Sequence, residues 1–203
     1  MDKFIISIGR QYGSGGREIG EKLAERFGVP CYDKLLLLKA AEESGLHINA
    51  VESSDERPLN PGFFMSGAAF ATTAGLAQSF YSDSLTVFEA ERRVIENAAK
   101  GGSCIIIGRC AQYVLRNDPS LMSVFIYADD DERIERISER NGISPKDAKA
   151  KMIKVDRMRR KYFDFYCETS WGAPESYDIL LSSTKYGIDG CVDILAQCIE
   201  KRK

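Results

Sequence analysis

Histidine is almost absent from this sequence. His47 is the only one; it lies in a polar stretch without a partner pattern and reads as a surface residue rather than a catalytic one. Paired cysteines are missing as well: Cys31, Cys104, Cys110, Cys167, Cys191 and Cys198 are scattered, with no CxxC and no neighbouring histidine. That spacing suggests neither a zinc site nor a disulfide framework, and reduced thiols are expected. No apolar run approaches membrane-spanning length, and the one in MDKFIISIGRQ is too short for a signal-peptide core, so the expectation is a cytoplasmic protein without membrane contact. An excess of one charge is lacking too: 28 basic residues stand against 30 acidic ones, a formal net charge of −2, which gives no footprint for nucleic acid or an acidic surface. What remains is ordinary globular chemistry, with 44% hydrophobic and 29% charged residues in 203, enough for one domain over 1–203 with a continuous core.

The pattern along the chain alternates strand and helix. Phe4–Ile8 is a β-branched run ending in glycines, and Glu18–Phe27 places Ile19, Leu23, Ala24 and Phe27 at helical spacing before Gly28. Val29–Tyr32 predicts a second strand and Lys34–Ser44 a second helix. Residues 46–84 break the rhythm with an acidic, proline-containing stretch and then GFFMSGAAFATTAGLAQSF, so 45–85 is expected to be a mobile insertion. Leu85–Lys100 predicts an amphipathic helix. Ser103–Ile107, apolar at every position from Cys104, predicts a strand buried on both faces and the central one of its sheet. Ala111–Leu115 (helix), Ser123–Ala128 (strand), a helix opened by Asp129–Glu132, and a long basic helix, Pro145–Cys167, follow; the strand Tyr177–Leu181 and the helix Ile188–Lys201 close the chain. Such alternation predicts an α/β fold, a parallel sheet covered by helices on both faces.

The segment from Gly9 to Gly16 carries the chemistry. In GRQYGSGGRE four glycines stand between a strand and a helix, so backbone N–H groups can converge on one point and the helix N-terminus adds its positive end. A phosphate fits there. The pattern departs from GxxxxGK followed by Ser or Thr: counting back from Gly15 finds Arg10 in place of glycine, Gly16 stands at the lysine position, and no Ser or Thr follows it. Arg17 is the nearest cation for a transferred phosphoryl group, the alternative being a solvated first-turn residue. Glu18 is a candidate metal ligand or a helix-dipole partner; Asp130 is another, or a helix cap.

With these residues in view, the chain resembles the cytidylate kinase-like family of P-loop nucleoside monophosphate kinase relatives over nearly its whole length. IISIGRQYGSGGREIGEKLAERFGVPCYDK is similar to that family's opening, CIIIGRCAQYVL to its strand and GRD-type turn, DRMRRKYFDFY to its arginine-rich lid, and YDILLSSTKYGIDGCVDIL to its last strand, base-side loop and terminal helix. The resemblance implies a three-layer α/β/α P-loop NTPase fold with a mostly five-stranded parallel sheet and a helical lid at 145–175. It implies ATP held by Gly9, Tyr12, Gly13, Ser14, Gly15, Gly16, Arg17 and Glu18, an acceptor phosphate met by Asp33 and Arg109, and Arg157, Arg159 and Arg160 closing with Arg17 on the transferred group.

The implied activity is ATP-dependent phosphorylation of a pyrimidine nucleoside monophosphate such as CMP, with Mg²⁺ for which Glu18 and Asp33 are the candidate ligands. Three departures cut against it: no loop lysine, no loop hydroxyl for the metal, and Ile107 where an acidic residue is common near the strand's end. Cys110 replaces the aspartate of the turn, and a thiol cannot accept two hydroxyl hydrogen bonds as a carboxylate does. The alternatives are a nucleotide-binding regulatory protein without catalysis, with the segment after residue 61 as a homodimer or partner contact, and a kinase of a non-nucleotide acceptor.

Overall fold

The computed structural model of the chain describes residues 2–33 and 88–201. The helix expected at Lys34–Ser44, the insertion at 45–85 and the contact surface suggested within it lie outside the described residues.

Strand β1 (Ile5–Arg10) leads through a turn into helix α1 (Gly16–Phe27) and strand β2 (Cys31–Tyr32). Helix α2 is described over 88–101. Then come strand β3 (Cys104–Ile107), the single turn α3 (Ala111–Val114) and strand β4 (Leu121–Tyr127). Helices α4 (Asp130–Asn141) and α5 (Pro145–Tyr166) precede a short 3-10 turn, Pro174–Ser176, strand β5 (Ile179–Ser182) and helix α6 (Ser183–Lys201).

The five strands form one parallel sheet in the order β2-β3-β1-β4-β5. Successive side chains of a strand point to opposite faces, and both faces are apolar here. Ile6 and Ile8 of β1 pack with Ile105, Val124 and Ile126 against Ile19 and Leu23 of α1 and Leu195 and Ile199 of α6. Ile5, Cys104 and Ile106 face the other way, onto Ala90, Val94 and Ile95 of α2. Helices therefore cover both sides of the sheet, the three-layer arrangement that its unbroken apolar strands require. Among the described residues no helix is long and apolar enough to cross a membrane.

One expectation is corrected. The central strand is β1, hydrogen-bonded to β3 on one side and β4 on the other; β3 lies one place out, between β1 and β2. Burial on both faces is common to β1 and β3, so apolar content could not rank them. With β1 in the middle, its carboxyl end opens at the crevice where the strand order reverses, the place where such sheets hold ligands.

Local signals set several boundaries. Helix α1 starts two residues before the apolar spacing suggests, because Gly15 (φ 77°) caps it in the left-handed region. Helix α5 opens where Ser144 Oγ accepts from the Asp147 N–H at 3.2 Å, with Pro145 next, a cap worth about 1 kcal/mol. Helix α6 begins at Ser183 but is broken at Gly187 (φ 67°, ψ 175°), so the expected start at Ile188 marks its second segment.

Candidate active site

The turn between β1 and α1 is held from outside by its carbonyls. Gln11 O accepts from Ser14 Oγ at 2.9 Å, Tyr12 O from Arg133 Nε at 2.8 Å, Gly13 O from Arg136 Nη1 at 2.6 Å, and Ser14 O from Ser183 Oγ at 2.7 Å. Gly15 O accepts from the Ile19 N–H at 3.0 Å, and the loop's entrance is tied to β4 by the Gln11 N–H on Ile126 O at 3.0 Å. With the carbonyls so engaged, the N–H groups of Gly15, Gly16, Arg17 and Glu18 remain, and as the first turn of α1 they have no intrahelical acceptor. Gly13 N–H also has no acceptor among the described residues. This is a cradle of donors at the positive end of a helix, built for an anion.

Gly13 (φ 82°) and Gly15 (φ 77°) shape the turn; a Cβ on Gly13 would lie 2.8 Å from Arg133 O, and one on Gly15 would collide with Ile188 Cδ1.

The groups that brace this loop come from far along the chain. Asp156 of α5 accepts from the Tyr12 N–H at 2.7 Å and hydrogen-bonds the Arg133 guanidinium. Burial pushes the Asp156 carboxyl upward, while the Tyr12 N–H and Arg133 pull it back toward ionisation. Arg133, only 3% exposed, thus links loop, α4 and α5. The Tyr12 ring sits beneath two further guanidinium groups, Arg140 at 5.0 Å and Arg159 at 5.5 Å. The sequence carried one signal for Arg133: it shares the helical stripe of Ile137, where an unpaired charge would not be placed.

Beside the cradle is a cleft whose charged lining is Arg10, Arg109 and Arg159 and whose walls include Tyr162, Phe163, Trp171 and Tyr177. It measures about 40 Å³, room for a few waters. Arg10 was visible in the sequence only as a departure from the glycine pattern. Arg159 Nη1 donates to Arg10 O at 3.0 Å. Arg109 and Cys110 are both in the left-handed region (φ 58° and 53°), a costly conformation for non-glycine residues that aims the turn after β3 at the cleft.

Arg109 Nη1 lies 3.4 Å from Glu91 Oε1 of α2, and Tyr162 Oη donates to Glu91 Oε2 at 2.7 Å. Glu91 is 1% exposed, so Arg109 supplies the positive charge that keeps it tolerable there. Burial pushes the Tyr162 and Tyr177 phenols upward, leaving both neutral. The Tyr177 hydroxyl is buried, lines the cleft, and has no hydrogen-bond partner among the described residues. The Cys110 thiol hydrogen-bonds Cys167 and is buried, which together hold it well above the ordinary thiol value. It offers no charge to a ligand.

The remaining sequence candidates sit elsewhere. Arg17 donates to Glu21 at 2.8 Å and pairs with Asp33 at 3.1 Å on the outer side of α1. Arg157 is exposed, and Arg160 is stacked over Trp171 at 5.6 Å. Glu18 pairs with Lys22 and Asp130 with Arg133. Each carboxylate considered for Mg²⁺ is therefore engaged by a base, and among the described residues no three potential ligands converge.

Parallel sheet, anion cradle at the first βα turn and a bank of arginines facing it define the class of the P-loop kinases. The chain belongs to the cytidylate kinase-like family, whose model matches residues 5–185. It is 26% identical over 201 residues to the cytidylate kinase of Pyrococcus horikoshii, covering 98% of this chain and 90% of that one. A solved structure from Eubacterium ventriosum is similar at a TM-score of 0.75 and 30% identity, covering 98% of this chain and 100% of that one. The shikimate kinase of Bacteroides thetaiotaomicron, at a TM-score of 0.53 and 14% identity over 97% of this chain and 98% of that one, shares the fold.

Proposed function

We propose that the protein is a phosphotransferase moving the γ-phosphoryl group of ATP to an acceptor that itself carries a phosphate, CMP being the first candidate. The observation that carries this reading is the adjacency of two anion sites: the cradle of amides from Gly13 and from Gly15, Gly16, Arg17 and Glu18, and the cleft of Arg10, Arg109 and Arg159. One holds the polyphosphate of the donor and the other the acceptor phosphate. An acceptor phosphate oxygen attacks the γ-phosphorus, the bond to the β,γ-bridging oxygen breaks, and ADP leaves with that electron pair. No covalent enzyme intermediate is required. Arg109 orients the acceptor, and Arg159, carried on α5, approaches the equatorial oxygens when the 145–175 segment closes as a lid. The relatives named cytidylate kinase support the nucleotide acceptor.

Cys110 favours a second reading, a non-nucleotide acceptor, because a neutral thiol turned to Cys167 provides no carboxylate for a ribose or base. A coupled assay of ADP release with Mg²⁺ and ATP against all nucleoside monophosphates, beside calorimetric titration of ATP, separates the readings. The expected result is ATP binding with turnover on CMP or UMP; ATP binding without turnover on any monophosphate would transfer the proposal to another acceptor, and absence of ATP binding would end both.

A further inference from the structure

The lysine-bearing phosphate loop has glycine at its first position and lysine at its seventh, whereas this chain has Arg10 and Gly16 at those two places. The two changes are sterically coupled. A Cβ built on Gly16 would lie 2.7 Å from Arg10 Cβ, 3.2 Å from Arg10 Cγ and 3.2 Å from Ile126 Cβ, and the first of these is closer than real Cβ atoms come. A side chain at position 10 therefore excludes one at position 16. Beyond that contact the Arg10 stem runs to the turn after β3, where its guanidinium packs on Gly108 so closely that a Cβ there would collide with Nη1. Gly108 (φ 77°) leaves the space, and the guanidinium lines the cleft with Arg109 and Arg159.

We infer that Arg10 supplies the cation that lysine supplies in lysine-bearing loops, delivered from the end of β1 and from the acceptor side of the cleft. This rests on the phosphotransferase reading. The consequence is chemical as well as positional. An ammonium on the first turn of the helix meets donor oxygens as a point charge. A guanidinium between the loop and Arg109 presents a planar fork that can span an oxygen of the γ-phosphoryl group and one of the acceptor phosphate, neutralising charge on both as the bond order shifts. The departures Gly16 and Arg10 are then one relocation of charge rather than a loss.

The test is a swap. Arg10→Met keeps the stem and removes the charge; Arg10→Gly, Gly16→Lys and the double variant Arg10→Gly/Gly16→Lys reconstruct the lysine-bearing pattern stepwise. Turnover, ATP affinity by calorimetry and melting temperature are measured for each. Arg10→Met is expected to lower kcat by at least about 100-fold and to weaken ATP binding by about tenfold, because the fork meets a donor phosphate oxygen before transfer as well as during it. The double variant is expected to exceed both single variants by at least about tenfold, the non-additivity of two residues sharing one role. Should Gly16→Lys alone fail to fold, Arg10→Met and the double variant still decide. A folded Arg10→Met protein with unchanged kcat, or a folded double variant no better than Arg10→Gly, overturns the inference. If the parent transfers phosphate to no acceptor, the kinase reading has failed, and calorimetry with inorganic pyrophosphate decides the role of Arg10 separately: at least about tenfold weaker binding by Arg10→Met supports it, and equal binding refutes it.

Discussion

Alanine at Gly13 is expected to remove ATP binding and to cost about 2–4 kcal/mol of stability, the sum of a left-handed backbone and a collision that cannot relax locally. Gly13 has φ 82°, and its Cβ would meet the carbonyl oxygen of Arg133 at 2.8 Å and Ile137 Cδ1 at 2.9 Å. The first contact is backbone of α4, so relief requires that helix to shift. Helix α4 carries Arg133 and Arg136, which hold Tyr12 O and Gly13 O and thereby aim the amides. The distortion is therefore delivered to the cradle itself. Gly142→Ala provides the control: its φ of 61° imposes similar backbone strain, but its Cβ would meet nothing within 4 Å. Urea denaturation and ATP calorimetry should find Gly142→Ala modestly destabilised with ATP affinity intact and Gly13→Ala impaired in both. Equal ATP affinity in the two variants would contradict the assignment of the loop.

Arg109→Met is expected to lose stability and turnover together, and a second substitution should separate the two. Removing the guanidinium leaves Glu91, 1% exposed, as a buried charge without its counter-ion, a defect worth about 3–5 kcal/mol. It also removes the proposed anchor of the acceptor phosphate, for which a loss of about 1000-fold in kcat/KM is expected. Glu91→Gln in the Arg109→Met background cancels the first defect, because a neutral amide can still accept from the Tyr162 hydroxyl at the position of Oε2. Denaturation midpoints should return most of the way while kcat/KM stays low. Recovery of turnover along with stability would reduce Arg109 to a structural ion-pair partner.

What could be read from the sequence is what local chemistry determines. The glycine-rich turn, the runs of apolar residues in β3 and β4, the Ser144-Pro145 opening of α5 and the position of Arg109 after a buried strand all depend on neighbours in sequence. Strand order does not, because Ile5–Ile8 and Cys104–Ile107 are buried alike and only pairing distinguishes the centre from its neighbour. The bracing of the loop was hidden for the same reason. Asp156 meets Tyr12 across 144 positions and Arg136 meets Gly13 across 123, and no periodicity encodes such a pair. Among the arginines of DRMRRK, helical phase decides the outcome: Arg159 turns inward to Arg10 O, whereas Arg157 and Arg160 are exposed. Arg10 departs from the glycine pattern in sequence, and only in the folded chain does its stem lie where a side chain at position 16 would need to be.

The central claim is that a donor phosphoryl group passes from the loop amides to a phosphate held among the arginines. Phosphorus NMR of the protein with ATP, Mg²⁺ and CMP follows that transfer atom by atom. The account predicts that the γ resonance of ATP is lost as ADP and the β resonance of CDP grow in equal amounts, with no inorganic phosphate. Unchanged ATP and CMP would contradict transfer to the nucleotide, and inorganic phosphate appearing in place of CDP would contradict transfer to an acceptor phosphate in this cleft.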